Sequence, residues 1–135
     1  MLKRLEVKTS SRVQLIDISS HIKSLLKSEG ISSGYIIVYV SHTTCGITIN
    51  ENADPAVKED IIDVLNRLVP ENSNYRHLEG NSDAHIKSSI IGSSVTVFIE
   101  GGALVLGTWQ GIFLAEFDGP RIRSVLLKMI PDSSD

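Results

Sequence analysis

The sequence predicts an α+β fold, a mixed and largely antiparallel β-sheet combined with two main helices and one short helix. Three observations support this class: strand-like segments occur in groups instead of alternating regularly with helices, two segments carry apolar residues at helical spacing, and the chain ends in four successive strand-like segments. The predicted order is two strands, a helix, two strands, a helix, a short helix and four strands. A chain of 135 residues is the size of one domain, so we expect a single domain over residues 1–135.

The first two strand segments lie on either side of the polar stretch TSSR at residues 9–12. Apolar and polar residues alternate on both sides of it, which predicts a β-hairpin with a short polar turn. The segment SSHIKSLLKSEG follows, with apolar residues at helical spacing, Ser19 or Ser20 available as an N-cap and Gly30 placed to end the helix. A short amphipathic helix is therefore expected here.

The middle of the chain combines two strands with the strongest helix pattern. Residues 34–40, GYIIVYV, are β-branched and aromatic on both alternating faces, as in a strand covered on two sides, and GITINE at 46–51 predicts a further strand. In the helix that follows, Asp54 is the expected cap, Pro55 occupies the first position and Pro70 ends the apolar periodicity.

The last part of the chain begins with a short helix, for which Asp83 is the expected cap and Gly92 the end. Four strands are predicted after it, and the middle two are joined through GTWQG. One strand, within GIFLAEFD at 111–118, places two aromatic rings and an alanine on one face and two apolar residues followed by two carboxylates on the other.

Composition excludes several classes of partner. A net charge of -3 provides no basic surface for nucleic acid, and no apolar run approaches the ~20 residues that cross a bilayer. We therefore expect neither a nucleic acid nor a membrane partner, and a cytoplasmic location. The single cysteine, Cys45, cannot form a disulfide within the chain, which agrees with a reducing compartment.

The stretch YRHLEGNSDAHIKSS contains His77, Glu79, Asp83 and His85 among glycine, asparagine and serine. Imidazole and carboxylate bind borderline metals and act as acids and bases near neutral pH. Residues two apart in extended backbone point the same way, so His77 can face with Glu79, and Asp83 with His85. If Asp83 caps the short helix, its dipole favours a neutral His85; alternatively Asp83 is only a cap and His85 a polar surface residue.

Two other segments contain candidate site residues. His42 follows a buried strand in SHTTC, where a histidine is either a hydrogen-bonded rim residue or part of a site. Near the last hairpin, Glu116 and Asp118 precede Arg121 and Arg123. Such a group forms either a structural ion-pair cluster or an anion site, because guanidinium binds phosphate in a bidentate manner.

Three segments, SHTTCGITINEN, YRHLEGNSDAHIKSSIIGSS and LGTWQGIFLAEFDGPRIR, resemble the signatures of the YjbQ family, a formerly uncharacterised family now often labelled secondary thiamine-phosphate synthase. They occur in the family's order from about Tyr35 to Arg123, and the similarity in length covers the whole chain. The resemblance implies a compact α+β homotrimer with a polar pocket near the subunit boundary.

The resemblance also implies a reaction in which a pyrimidine diphosphate is joined to a thiazole phosphate, releasing pyrophosphate and forming thiamine phosphate. Asp83, His85 and Glu79 are then expected to be the catalytic residues, with Arg121 contacting phosphate. The histidines carried over by position as a metal or anion site are His42, His77 and His85. The expected cofactor is a divalent metal, zinc or magnesium.

Two functional hypotheses follow. In the first, the protein is an enzyme: a divalent cation helps neutralise the leaving diphosphate, and His85 transfers a proton. In the second, the same pocket holds a metal or a small phosphorylated metabolite without turnover. The sequence contains neither a glycine-rich phosphate loop nor an aspartate-rich cation motif, which most diphosphate-transferring enzymes would be expected to have.

Overall fold

The computed structural model describes residues 2–133, and within them it confirms the predicted α+β class and order of elements. Eight strands and three helices are found in this range. Their bounds are β1 Leu2–Lys8, β2 Gln14–Asp17, α1 Ser19–Glu29, β3 Gly34–Val40, β4 Cys45–Glu51, α2 Pro55–Leu68, α3 Ser82–Ile91, β5 Ser94–Glu100, β6 Ala103–Leu104, β7 Gln110–Glu116 and β8 Ile122–Pro131.

The strands form two sheets, a five-stranded sheet in the order β1-β8-β3-β5-β6 and a three-stranded sheet in the order β2-β7-β4. All their pairings are antiparallel. One hydrophobic core contains residues of both sheets and α1, and a second contains residues of the three-stranded sheet, α2 and α3. Strand β7 contributes to both: Ile112 and Leu114 belong to the first core, whereas Phe113 and Ala115 belong to the second.

The predicted hairpin of the first two strands is wrong. Strand β1 pairs with β8, where Leu5 lies opposite Val125, and β2 pairs with β7, where Leu15 lies opposite Ala115. Residues 9–13 therefore cross from one sheet to the other. The Thr9 amide donates to the Arg121 carbonyl at 2.9 Å, which fixes this crossing beside the start of β8.

Two helix starts differ in how well they were predicted. In α2 the Asp54 side chain accepts from the Ala56 amide at 2.9 Å and Pro55 is the first residue, as expected. In α1 neither serine is the cap; the Asp17 carboxylate accepts from the Ser19 amide at 2.8 Å. The Ser19 hydroxyl instead accepts from the amide of Ile112, because this helix begins against β7.

The expectation that β3 is covered on two sides is wrong for the single chain. Ile36, Val38 and Val40 are at most 1% exposed, but Tyr35 and Tyr39, on the other face, are 38% and 41% exposed. The five-stranded sheet thus packs one face on the core and presents the other, partly apolar face outward. Among residues 2–133, no helix has the length and apolar character needed to span a membrane.

Replacing Leu114 by alanine tests the position of β7 in the first core. Because Leu114 is 0% exposed, we expect the free energy of unfolding to fall by about 2–5 kcal/mol. Leu78→Ala is the matched control, since Leu78 is 93% exposed and its truncation should change stability by less than about 0.5 kcal/mol. Urea denaturation of the two variants measures both values, and equal losses would contradict the described core.

Candidate functional site

Three segments that are distant in sequence meet at one polar cavity of about 400 Å³. They are the β3–β4 loop, the stretch that leads into α3, and the turn before β8. Of the predicted site residues, this cavity brings together His42, Glu79, His85 and Arg121. We call it the arginine cavity, because Arg121 and Arg123 both line it.

A buried ion pair lies beside this cavity. Glu116 is 0% and Arg123 3% exposed, Arg123 Nε donates to Glu116 Oε1 at 2.8 Å, and a second bond joins Arg123 Nη2 to Glu116 Oε2. The Thr9 hydroxyl also donates to Glu116 Oε1, at 2.9 Å, and Arg123 Nη2 donates to Thr44 Oγ1 at 2.8 Å. Burial raises the pKa of Glu116, but the hydrogen bonds from Arg123, Thr9 and the Asp118 amide lower it by more than burial raises it. The pKa of Glu116 therefore lies below its usual value, and the carboxylate is charged at neutral pH.

His42 contributes a neutral imidazole to the arginine cavity. Its Nε2 accepts from the Ser124 amide at 3.0 Å, and because an amide can only donate, the proton of the neutral ring is on Nδ1. Burial, followed by the nearby charges of Arg123 and Arg121, lowers the pKa of His42 despite the opposing effect of Glu116. Nδ1–H is thus the group that His42 can offer to a ligand.

Arg121 is the accessible cation of the cavity, with a side chain that is 52% exposed. Its Nη2 donates to Asp118 Oδ2 at 3.0 Å and its Nε to the Asp118 carbonyl at 2.8 Å. Asn81, which the sequence did not single out as a site residue, also donates to Asp118 Oδ2, at 3.0 Å, through Nδ2. The Asn81 Oδ1 atom is buried and has no hydrogen-bond partner within residues 2–133.

Asp83 does not line the arginine cavity. It is 0% exposed, its two oxygens accept from Arg12 at 3.1 and 3.2 Å, and Oδ2 accepts from Lys87 Nζ at 3.1 Å. The predicted cap is wrong, because Asn81 occupies the N-cap position and Asp83 lies inside the first turn. Burial raises the pKa of Asp83, but the bonds from Arg12 and Lys87 lower it below its usual value. This carboxylate is ionised at neutral pH and has no solvent access, and its bonds to Arg12 hold α3 in place.

His77, Glu79 and His85 form a loose group at the start of α3. The rings of His77 and His85 meet edge to face with centroids 5.5 Å apart, and His77 Nε2 lies 3.7 Å from Glu79 Oε1. His77 Nδ1 is also 3.0 Å from the Ser82 hydroxyl. Asp83 and His85 do not share a face, because both belong to a helix, in which residues two apart diverge.

The donors of the described chain do not form a complete metal site. No group of three or more histidine, cysteine or acidic side chains within residues 2–133 is arranged to hold an ion. A resident zinc normally requires at least three such ligands, and His42 Nε2 already accepts from Ser124. Magnesium is commonly bound through one or two carboxylates and substrate phosphates, and Glu79 at the cavity could contribute such a carboxylate.

A second cavity of about 520 Å³ shares His42, Thr43 and His85 with the first. We call it the serine cavity, and its other lining residues are Cys45, Ser88, Ser89, Gly92 and Ser93. Burial raises the pKa of Cys45 to about 11, so this thiol is protonated at neutral pH. Sequence reasoning missed the serines, although Ser88 and Ser89 follow His85 by three and four residues and so share its side of a helix.

Fold and site together define a small α+β protein with adjoining polar cavities where the β3–β4 loop, the start of α3 and the start of β8 meet. The chain belongs to the YjbQ family, since the family model described as "UPF0047 protein YjbQ-like" matches residues 3–132. It is 55% identical to the UPF0047 protein MJ1081 of Methanocaldococcus jannaschii, with 98% of this chain and 96% of that protein covered. It is 50% identical to the UPF0047 protein YugU of Bacillus subtilis, with 96% and 99% covered.

Solved structures support the same assignment. A YjbQ/UPF0047 family protein from Clostridium acetobutylicum superposes with a TM-score of 0.93 at 51% identity, covering 95% of this chain and 99% of that one. A hypothetical protein from Aeropyrum pernix also gives a TM-score of 0.93, at 36% identity, with 98% and 99% covered. The names of these proteins specify no reaction, so function must be argued from the cavities.

Asp83→Asn tests whether Asp83 stabilises the start of α3. The change leaves Lys87, which is 1% exposed, without its charged partner, so we expect a loss of about 3–5 kcal/mol at neutral pH. Because the folded pKa of Asp83 is depressed, its contribution is present above the usual value of 3.8 and is lost as the pH falls through the folded pKa. Urea denaturation at neutral pH and below about pH 4 measures both effects.

Glu79→Gln is the control, since that side chain is 77% exposed and should leave stability nearly unchanged. A stable Asp83→Asn protein at neutral pH would contradict the structural role. The difference in free energy of unfolding between wild type and Asp83→Asn should also become smaller in acid, because both proteins then lack the Asp83 charge.

Proposed function

We propose that the arginine cavity binds the phosphate or diphosphate group of a small metabolite, and that the protein has thiamine phosphate synthase-type activity. The observation that supports this most directly is that the half-exposed Arg121 and His42, whose neutral ring carries its proton on Nδ1, line the same cavity. Guanidinium can bind phosphate through two parallel hydrogen bonds, and a neutral imidazole N–H adds a donor.

The two arginines have different parts in this proposal. Arg123 is committed to Glu116 in a buried pair, and removing either charge would leave the other uncompensated. Arg121 pairs with Asp118 near the surface, where such a pair contributes roughly 0–1 kcal/mol, so a phosphate can compete for it at little cost. Arg121 is therefore the phosphate ligand, and Arg123 holds the cavity wall.

In the proposed reaction the thiazole ring nitrogen attacks the methylene carbon of the pyrimidine diphosphate. The new C–N bond forms as the C–O bond to the diphosphate breaks, and pyrophosphate leaves with the electron pair. Arg121 offsets the charge that develops on the leaving group, and His85 donates a proton to one of the leaving-group oxygens. That proton leaves with pyrophosphate, and Glu79, the accessible carboxylate of the cavity, relays a replacement proton from water to His85. Asp83 positions α3 and with it His85.

The alternative is a protein that binds a small phosphorylated metabolite without turnover. It is favoured by the pairing of each lining arginine with a carboxylate, Arg121 with Asp118 and Arg123 with Glu116. This arrangement leaves little surplus positive charge for stabilising a leaving pyrophosphate, and it is sufficient for moderate anion binding.

Arg121→Gln and His85→Asn separate binding from chemistry. Loss of a charge-assisted bond in Arg121→Gln should weaken inorganic pyrophosphate binding by about tenfold to hundredfold, as measured by calorimetry. His85→Asn keeps a polar side chain but cannot exchange a proton, so thiamine phosphate formation from the two precursors should fall by about 10²-fold or more with pyrophosphate affinity nearly unchanged.

Arg67→Gln, in the exposed last turn of α2, is the matched control and should leave both quantities unchanged. If the wild-type protein binds pyrophosphate but forms no thiamine phosphate, the alternative of a binding protein without turnover is favoured. Wild-type values for binding and turnover in both site variants would show that this cavity is not the site.

We also propose that the protein is a homotrimer that covers the outward face of the five-stranded sheet. The support comes from four large side chains on this face, all at least 38% exposed in the single chain. They are Tyr35, Tyr39, Phe98 and Ile122. Several large apolar and aromatic side chains exposed on one sheet face are typical of an interface between protein chains.

Light scattering should give a mass three times the 14.8 kDa of one chain. Phe98→Asp places a charge on the outward face, and we expect it to lower the mass toward that of the single chain. Leu68→Asp is the control, since Leu68 is an apolar side chain that is 70% exposed but lies at the end of α2 and not on this sheet. A monomeric wild-type protein at micromolar concentration would contradict the trimer.

A further inference from the structure

The serine cavity differs from its neighbour because no arginine or carboxylate lines it. Its lining consists of hydroxyl groups, two imidazoles, the Cys45 thiol and a glycine, with no lysine, arginine, aspartate or glutamate. Its volume of about 520 Å³ falls within the range of small-molecule sites. Such a lining suits an uncharged group with several hydrogen-bonding atoms, and it offers an anion neither lysine nor arginine.

Ser88 is the residue that points to a ligand. It is 8% exposed, and its buried hydroxyl has no hydrogen-bond partner within residues 2–133. Burying an unpaired hydroxyl is unfavourable, and native structures seldom retain one without a reason. The adjacent Ser89 behaves differently, because its hydroxyl donates to the His85 carbonyl at 3.0 Å. Ser88 itself lines the cavity, so rotation about its Cα–Cβ bond can turn this unpaired hydroxyl toward a ligand there.

The wall that carries Ser88 is held at a fixed distance from β4. The Gly92 carbonyl, at the end of α3, accepts from the Ile47 amide at 3.0 Å. A Cβ atom on Gly46 would lie 2.5 Å from that same carbonyl oxygen, so only glycine permits this approach of helix and strand. The end of α3 and β4, which line the cavity through Gly92 and Cys45, are therefore held against each other.

The two cavities adjoin along His42, Thr43 and His85, which line both. One molecule can therefore place a charged end near Arg121 and an uncharged end near Ser88. We propose that the serine cavity is the subsite for the uncharged, hydrogen-bonding organic group of the same phosphorylated ligand, with Ser88 as its specificity-determining residue. This inference rests on the proposed anion site. It adds that the part of the ligand beyond the phosphate is an uncharged, hydrogen-bonding organic group.

Ser88→Ala provides the test, with inorganic pyrophosphate and a pyrimidine diphosphate as the two probes. Calorimetry should show a pyrimidine diphosphate affinity about threefold to tenfold weaker than wild type, because the loss of one neutral hydrogen bond has an effect of this size. The pyrophosphate affinity should be unchanged. The thermal midpoint of the free protein should not fall, because the deleted hydroxyl has no hydrogen-bond partner in the described part of the chain. Ser28→Ala is the control, since Ser28 lies on α1 and its hydroxyl donates to the Leu25 carbonyl.

Ser93→Phe is a second variant that does not depend on one hydrogen bond. Ser93 is exposed where it lines the cavity, so a phenyl ring there should exclude the organic group without disturbing the core. We expect pyrimidine diphosphate binding to weaken more than tenfold while pyrophosphate binding is retained. If wild type binds pyrophosphate but both variants bind the two probes as wild type does, the subsite is wrong and the anion site stands. If wild type binds neither probe, the proposed function itself fails.

Discussion

The buried pair of Glu116 and Arg123 is the interaction on which the site depends, because it joins the two sheets where the cavity opens. Glu116 ends β7 of the three-stranded sheet and Arg123 lies near the start of β8 in the five-stranded sheet. The pair also receives Thr9 from the crossing segment and bonds Thr44 of the β3–β4 loop. Four separate parts of the chain are thereby fixed within a few ångströms. A buried pair of this kind is costly to break on one side only, since the remaining charge would have no partner.

The charges of this protein divide into those that hold the frame and those that can meet a ligand. Glu116 and Asp83 both have a pKa below the usual value of a carboxylate, so each stays ionised throughout the neutral range. Glu116 connects the two sheets through Arg123, and Asp83 connects α3 to Arg12 of the crossing segment. Arg121 is half exposed and only weakly held, and within residues 2–133 His42 Nδ1–H makes no hydrogen bond. The ligand-binding groups are thus mounted on a frame whose own charges are already compensated.

Sequence patterns predicted the parts of this structure that local physics determines. Asp54 with Pro55 specified the start of α2, and the alternation in β7 correctly separated Phe113 and Ala115 from Ile112 and Leu114. The hairpin failed because β1 and β2 follow each other in the chain but pair with strands about a hundred residues away. Asp83 was misjudged for the same reason, since its partner Arg12 is 71 residues distant and a helix cap is the nearest local explanation. Ser88 was missed because a serine three residues after a histidine is informative only once the helix and its cavity are known.

The outward sheet face and the arginine cavity meet at the start of β8, where Ile122 lies between Arg121 and Arg123. Ile122 is 61% exposed, and alternation along the strand directs Arg123 inward and Ile122 outward. A partner chain that covered Ile122 would displace water next to Arg121. Because charge interactions strengthen as the surroundings become less polar, such a contact would tighten phosphate binding to Arg121. The coupling is necessarily reciprocal: a phosphorylated ligand would then favour assembly by the same factor by which assembly favours the ligand. Phosphate binding at Arg121 and subunit contact at the adjacent Ile122 would accordingly be coupled through neighbouring residues at the start of β8.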